Sequence, residues 1–281
     1  MAYRSILVHL DPGRLANGRV ATAAALALQQ DAHLIGLAPT GWTLMPTASL
    51  PGTGLAAYED AALEELRRQA QLCAASFEEQ VRRLGVTSHE SRVEEGDVGR
   101  AVALAARYCD LTVVSQTDPD AVPLGGSLLI PQDVLMQSGR PLLVLPYVGT
   151  WSIAPAARIL VAWNASREAT RAVHDALPML KRARNVDVVV FESPSEVDIA
   201  HGRLPGADIA LWLTRHGVTV NVQHVPVKVA AGEALLSHAA DIGADLIVAG
   251  GYGHSRLREA VLGGVTRTLL RSSPVPVLLS H

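Results

Sequence analysis

The amino-acid sequence predicts an α/β chain of two tandem domains, each a doubly wound, open five-stranded, mainly parallel sheet with flanking helices. Three observations lead there. Short β-branched runs alternate with longer helical ones, that alternation occurs twice, and 281 residues suit two domains of about 140 better than one.

In the first copy the order is strand "SILVHL", helix "GRVATAAALALQQ", strand "AHLIGL", the long helical stretch "YEDAALEELRRQAQLCAASFEEQVRRLG", and a polar strand between Val86 and Val93. Helix "GRAVALAARY" and strands "LTVVSQ" and "PLLVLP" follow. A helix between successive strands carries the chain back across the sheet, so those strands run parallel. The Pro/Gly/Ala-rich segment "VGTWSIAPAAR" comes next, which assigns residues 1–147 to a first domain, 148–157 to a linker and 158–281 to a second domain.

The pattern then restarts. "RSILVHLDPG" from Arg4 matches "RILVAWNASR" from Arg158, with Ile6 over Ile159 and Asp11 over Asn164, an offset of 153. "CDLTVVSQ" matches "ADLIVAGG" with Asp110 over Asp245, and "RPLLVLP" matches "VPVLLSH", at an offset of 135. The second copy is therefore shorter between its ends, mostly after the second strand, where the first carries the loop from Thr40 to Gly54 and a longer helix. That loop reads as a lid or an interaction surface. An internal duplication accounts for the length.

Composition narrows the function. Hydrophobic residues make up 49%, charged residues 18%, and the formal charge is −3, which describes a folded globular protein with no basic run for nucleic acid. "MAYRSILVHL" enters a strand without the pattern of a secretory signal, and apolar runs break well before the roughly 20 residues a bilayer span needs, so a cytoplasmic protein without membrane attachment is expected. Two cysteines, Cys73 and Cys109, support neither a disulfide framework nor a thiolate zinc site. The ten histidines show no ligand spacing such as H-E-x-x-H, so no protein-only metal site is assigned.

In open parallel sheets, ligands bind beyond the carboxyl ends of the strands, where the topology switches direction. The segment "GGYGHSRLREAVLGG", Gly250 to Gly264, follows a strand at Leu246 to Ala249 and so falls at such a place. Gly250 and Gly253 are expected to turn with positive φ and to let the backbone approach a ligand. Gly263 and Gly264 open the helix "VTRTLLRSS", whose free N–H groups and dipole suit an anion. By spacing alone these glycines fit ordinary loop and helix-entry roles equally well.

Other chemistries lack their motifs. There is no G-x-x-x-x-G-K-[S/T], Arg256 breaks a dinucleotide fingerprint from Gly251 and Gly253, and Leu257 breaks a G-x-S-x-G around Ser255. His254 and Ser255 read as a polar pair at a helix start rather than as base and nucleophile, and no catalytic residue is assigned. Asn164 ends the first strand of the second copy, where it either caps the helix "REATRAVHDALPML" or touches a ligand. Trp163 beside it either packs or stacks on a base.

The run from Asp245 to His281 resembles the nucleotide motif of the universal stress protein family: glycine, two residues, glycine, nine residues, glycine, then a small hydroxyl residue. Gly250, Gly253 and Gly263 fill the glycine positions, and the closing "PVPVLLSH" strand is also similar. The resemblance implies the tandem, Rossmann-like form of the family and binding of ATP, with or without Mg2+. It places phosphate contacts at Gly253, Gly263, Gly264 and Val265, with His254 alongside, and adenosine contacts at Ala162, Trp163, Asn164, Val248 and Gly250. Two positions depart from the pattern: Gly264 stands where the family has Ser or Thr, and Asn164 where it usually has Asp.

The first copy lacks the motif. The four motif positions fall there on Ser115, Asp118, Leu128 and Leu129, where a carboxylate repels an anion and leucines cover the backbone. The resemblance thus implies one nucleotide site per chain. It also implies a first domain that packs "PLLVLP" beside "PVPVLLS" as an intramolecular pseudo-dimer, with a homodimer as a further association. The function implied is a cytoplasmic stress-response protein acting as a nucleotide-dependent regulator or interaction module. A slow ATPase or self-phosphorylating protein, modified at His254 or Ser255, and a nucleotide-independent scaffold are the alternatives. Against catalysis, the motif region offers no Lys and no carboxylate placed to hold magnesium.

Overall fold

The computed structural model describes residues 2–41, 55–120, 129–149, 151, 157–192, 206–226, 229–253 and 264–281. The rest of the loop to Gly54, and the motif residues His254, Ser255, Arg256 and Gly263, lie outside them. Two compact units emerge, Tyr3–Ser138 and Gly139–His281.

In the first unit the chain runs β1 (Ser5–His9), α1 (Ala16–Gln30), β2 (His33–Pro39), α2 (Leu55–Arg83), β3 (His89–Glu94), α3 (Val98–Ala106), β4 (Leu111–Ser115) and α4 (Ile130–Ser138). The strands lie in the order β3-β2-β1-β4, and every pairing is parallel. Ile6, Leu7, Val8, Leu111 and Val113 are fully buried, as the strands of a sheet covered on both faces must be. Because β2 and β3 build outward on one side of β1 and β4 on the other, the direction of winding reverses between β1 and β4.

The second unit contains β5 (Leu142–Leu145), β6 (Arg158–Ala162), α5 (Arg167–Leu180), β7 (Asn185–Glu192), α6 (Ala207–Arg215) and β8 (Val220–Pro226). It continues through α7 (Ala231–Ile242), β9 (Leu246–Gly250), α8 (Gly264–Ser272) and β10 (Val277–Ser280). Its strand order is β5-β10-β9-β6-β7-β8, parallel throughout except for the β5–β10 pair, where Val144 stands beside Val277. Here the winding reverses between β6 and β9. The architecture is therefore the α/β, largely parallel one that the alternation of strands and helices predicts.

The duplicated aspartates have a structural reason. Asp110 precedes β4 and its Oδ2 accepts the backbone N–H groups of Arg4 at 2.7 Å and Ser5 at 3.0 Å, next to the start of β1. Asp245 does the same for Arg158 N–H at 2.7 Å, at the start of β6. Each carboxylate pins the two strands at which the sheet switches direction, and the charge strengthens each bond. The long helix α2 also gains from one residue type: β2 carries Gly36, where any Cβ would stand 2.8 Å from the Phe77 ring of α2. The missing side chain lets Phe77, 1% exposed, seat on the strand.

Candidate functional site

The site lies where β6 and β9 end side by side. Val161 stands beside Val248, so the chain leaves both strands toward the same crevice, after Ala162 on one side and Gly250 on the other. This is the switch point of the second sheet; of the sequence-predicted residues, Ala162, Trp163, Asn164, Gly250 and Gly253 lie at or just beyond the ends of these two strands, and Val248 is fully buried within β9.

Beyond β6, the Trp163 N–H donates to Val189 O at 2.9 Å, which extends the strand contact by one residue and leaves the indole half-buried. Asn164 is exposed, and its Oδ1 accepts the Ser166 N–H at 3.2 Å. Ala165 takes a left-handed φ of 56°, which bends the chain into α5. Ser166, not Asn164, caps that helix, its Oγ accepting the Ala169 N–H at 3.1 Å. Asn164 thus organises the turn before the cap rather than the helix end itself.

Beyond β9 the expected backbone conformation is corrected. Neither Gly250 nor Gly253 has a positive φ; the left-handed residue in this turn is Tyr252, at 56°. Gly250 is required for another reason. A Cβ there would stand 2.5 Å from Ala169 N and 2.7 Å from the Glu168 carbonyl carbon, so the glycine makes room for the first turn of α5. At Gly253 a Cβ would meet Glu168 Oε2 at 3.0 Å and Ser166 Oγ at 3.5 Å.

The two glycine segments are held together by contacts on either side of residues 254–263. The Tyr252 N–H donates to Thr266 Oγ1 of α8 at 3.0 Å, and the Gly251 N–H donates to Ser280 O of β10 at 2.8 Å. His281 Nδ1 approaches Gly251 O at 3.0 Å, and its ring stands edge-on to Tyr252. Gly264 is the first residue of α8, with no atom within 4 Å of where its Cβ would be. Val265 follows it in the first turn. The first turn of α8, whose N–H groups have no acceptor within the helix, therefore starts near the glycine turn that follows β9, with no described atom around a Gly264 Cβ. Gly263 and His254 lie outside the described residues.

Sequence reasoning missed Glu168. Its carboxylate is buried, with only 9% of the side chain exposed, and stands against Gly253 at the edge of the glycine turn. Through space, α5 brings this carboxylate against the glycine turn. Among the described residues no group of three or more His, Cys, Asp or Glu side chains could hold a metal ion.

The first unit builds the matching crevice differently. Arg19 of α1, 2% exposed, points its guanidinium into the ends of β1 and β4: Nε donates to His9 O at 2.7 Å, Nη1 to Ser115 Oγ at 2.9 Å, and Nη2 to Asp11 Oδ2 at 2.6 Å. The position matching Arg19 in the second copy is Ala172, and that matching Ser115 is Gly250. An arginine and its acceptor in one copy are thus an alanine and a glycine in the other, and at Gly250 the first turn of α5 packs against the backbone. Burial pushes Asp11 upward, but Arg19, His9 and the Gly13 N–H together outweigh it and the carboxyl titrates below its usual range. Burial lowers His9 to about 4, opposed by Asp11 and aided by Arg19, so the imidazole is neutral at physiological pH. Asp118, expected to repel an anion, is paired with Arg14 Nε at 2.7 Å, and that hydrogen bond holds its carboxyl below the ordinary range. Leu129 is exposed, and Leu128 lies outside the described residues.

A doubly wound α/β domain with a glycine-lined crevice at its switch point and an open helix N-terminus defines a small-ligand-binding class of fold. Comparison with known proteins narrows it. Residues 156–281 match the model of the universal stress protein family. That match falls within the second unit of the chain. Universal stress protein Slr1230 of Synechocystis sp. (strain ATCC 27184 / PCC 6803 / Kazusa) is 42% identical over 48 residues, a stretch that spans 17% of each chain. Over nearly the whole length, the fold is similar to that of a universal stress protein from Archaeoglobus fulgidus DSM 4304, with a TM-score of 0.74, 16% identity, and 98% and 97% of the two chains covered. A functionally unknown protein from Pseudomonas aeruginosa PAO1 is similar at a TM-score of 0.61 and 16% identity, covering 99% of this chain and 92% of that one. No helix among the described residues is long and apolar enough to cross a membrane.

Proposed function

We propose that the chain is a tandem universal stress protein that binds one adenine nucleotide, in the β6/β9 crevice of its second domain, and acts as a nucleotide-dependent regulator or interaction module. The observation that carries this reading is the start of α8: no described atom lies within 4 Å of a Cβ placed on Gly264, and the Tyr252–Thr266 hydrogen bond holds that helix start next to the glycine turn. Unsatisfied backbone N–H groups at a helix start are a phosphate site in physical terms. The base and ribose then lie against Ala162, Trp163, Asn164, Val248 and Gly250, and the phosphates against Gly253, His254, Gly263, Gly264 and Val265. Mg2+ accompanies ATP in this reading.

The first domain does not take a nucleotide in this reading, because Arg19 fills the corresponding space with a guanidinium already satisfied by His9, Asp11 and Ser115. Isothermal titration of the full chain with ATP, ADP and AMP tests the proposal. One binding event per chain, abolished by Gly264→Leu and unaffected by Arg14→Ala, is expected. Heat-free titrations with all three nucleotides, or two equivalent sites, refute it.

A further inference from the structure

We propose that Asp175 of α5 is a positioning residue of the glycine turn: through Ser280 it fixes the last rung between β9 and β10, from which Gly251 and Tyr252 depart. The consequence for ligand affinity rests on the nucleotide reading above. Ser280 ends β10 and is fully buried, and its Oγ–H donates to Asp175 Oδ2 at 2.9 Å. The carbonyl of the same residue accepts the Gly251 N–H at 2.8 Å, and the neighbouring His281 Nδ1 stands 3.0 Å from Gly251 O. Both backbone polar groups of Gly251 are thus held by the end of β10, and the end of β10 is held by α5. The carboxylate is itself set in place on the helix, with Arg171 Nε 3.8 Å from Oδ2 and His174 Nδ1 3.7 Å from Oδ1, and only 20% of its side chain is exposed.

The first copy is built without this tie. By the offsets of 153 and 135, Asp175 falls on Thr22 and Ser280 on Leu145. Thr22 Oγ1 donates within its own helix, to Gly18 O at 3.0 Å, and Leu145 at the end of β5 is fully buried. A buried hydroxyl–carboxylate pair gains little stability over apolar side chains, although breaking one half of it is costly. What the pair adds is direction. Dispersion contacts tolerate sliding, whereas a charge-assisted hydrogen bond fixes its donor along one line. Segments at the ends of elements open most readily, and this end stands beside Gly250, where the chain leaves β9 for the glycine turn. The copy that carries the glycine motif therefore has a directional tie at this strand end, and the copy without the motif has a leucine.

Amide hydrogen exchange of the full chain, followed by NMR, tests the tie without any ligand. Ile247, whose N–H donates to Pro276 O at 3.0 Å in the same strand pair, is the internal reference. Breaking the bond in Ser280→Ala or in Asp175→Ala should speed exchange at Gly251 relative to Ile247 by about tenfold, the scale of one hydrogen bond. The double variant should go no further, because both changes break the same bond. Asp175→Asn keeps an acceptor for the hydroxyl and should stay within about threefold of wild type. Isothermal titration with ATP should then show an affinity lower by about threefold or more in the two alanine variants and near wild type in Asp175→Asn. Circular dichroism checks that each variant is folded, and Asp175→Ala decides if Ser280→Ala is not. An unchanged exchange ratio overturns the inference, and so does equal acceleration at Gly251 and Ile247, which reports general loosening. A raised ratio with undiminished ATP affinity overturns the positioning role. Absence of ATP binding by the wild type overturns the nucleotide reading instead, and the exchange ratio then decides the tie alone.

Discussion

Gly250→Ala tests whether this glycine serves the helix or the crevice. A methyl group at this position would stand 2.5 Å from Ala169 N and 2.7 Å from the Glu168 carbonyl carbon, both backbone atoms of the first turn of α5. Comfortable separations between non-bonded carbon atoms are about 3.5–4.0 Å, so the helix must retreat from the sheet by close to an ångström. Overpacking of this kind costs about 1–3 kcal/mol, and the reduced entropy of the unfolded chain returns at most about 1 kcal/mol. A net loss of about 1–2 kcal/mol is expected. Gly264→Ala is the control, since nothing lies within 4 Å and φ is not positive; its stability should stay within about 0.5 kcal/mol of wild type or improve slightly. Gly253→Ala falls between them, because what it meets at 3.0 Å is the end of the Glu168 side chain, which can swing away. Urea denaturation followed by far-UV circular dichroism ranks the three, and hydrogen exchange of the α5 amides localises the damage. Wild-type stability for Gly250→Ala, or a larger loss for Gly264→Ala, would refute the steric argument.

Three further predictions follow from the polar residues. Arg19→Met strips the half-buried Asp11 and Ser115 of their Arg19 donor and should cost about 2–3 kcal/mol, read as a lowered thermal midpoint; an unchanged midpoint would show that the cluster is not structural. His9 titrates at about 4 when folded, below the roughly 6.5 of an unfolded chain, so the unfolded state takes the proton first as the pH falls. Its contribution is therefore complete above about pH 6.5 and is lost progressively down to about pH 4, up to about 3 kcal/mol in all. His9→Gln should flatten that part of the stability profile, and protonation of the His9 imidazole near pH 6.5 in an NMR titration would contradict the account. Thr266→Val removes the acceptor of the Tyr252 N–H at constant shape and should cost about 1–2 kcal/mol in denaturant, with raised exchange at that amide; an unprotected Tyr252 amide in the wild type would sink the prediction.

Much of the architecture is legible in the residues because it is written locally. "SILVHL" and "RILVAW" each carry the continuous apolar run Ile-Leu-Val, which is what a strand covered on both faces requires, and each becomes a strand with a buried centre. The helix read as "REATRAVHDALPML" is α5 residue for residue. The pairing of Asp110 with Asp245 is visible as a repeat, although its purpose, tying two neighbouring strands through their backbone N–H groups, emerges only when those strands are side by side. The candidate crevice was legible to the extent that it follows strand ends: Ala162 to Asn164 and Gly250 to Gly253 are near each other because β6 and β9 pair.

The sequence by itself determined the order of elements, the duplication and the loss of the glycine motif from the first copy, since periodicity and spacing are properties of neighbouring residues. Tertiary structure decided what the individual residues are for. Arg19 reaches Ser115 across 96 positions of chain, and its matching Ala172 is silent unless the two crevices are compared in space. Glu168 looks like an ordinary first-turn acid until packing turns it onto Gly253. Gly250 makes room for α5, whereas no described atom lies within 4 Å of a Cβ at Gly264. A glycine lacks a side chain in the same way at both positions, and only the atoms that surround it distinguish a packing requirement from an opening.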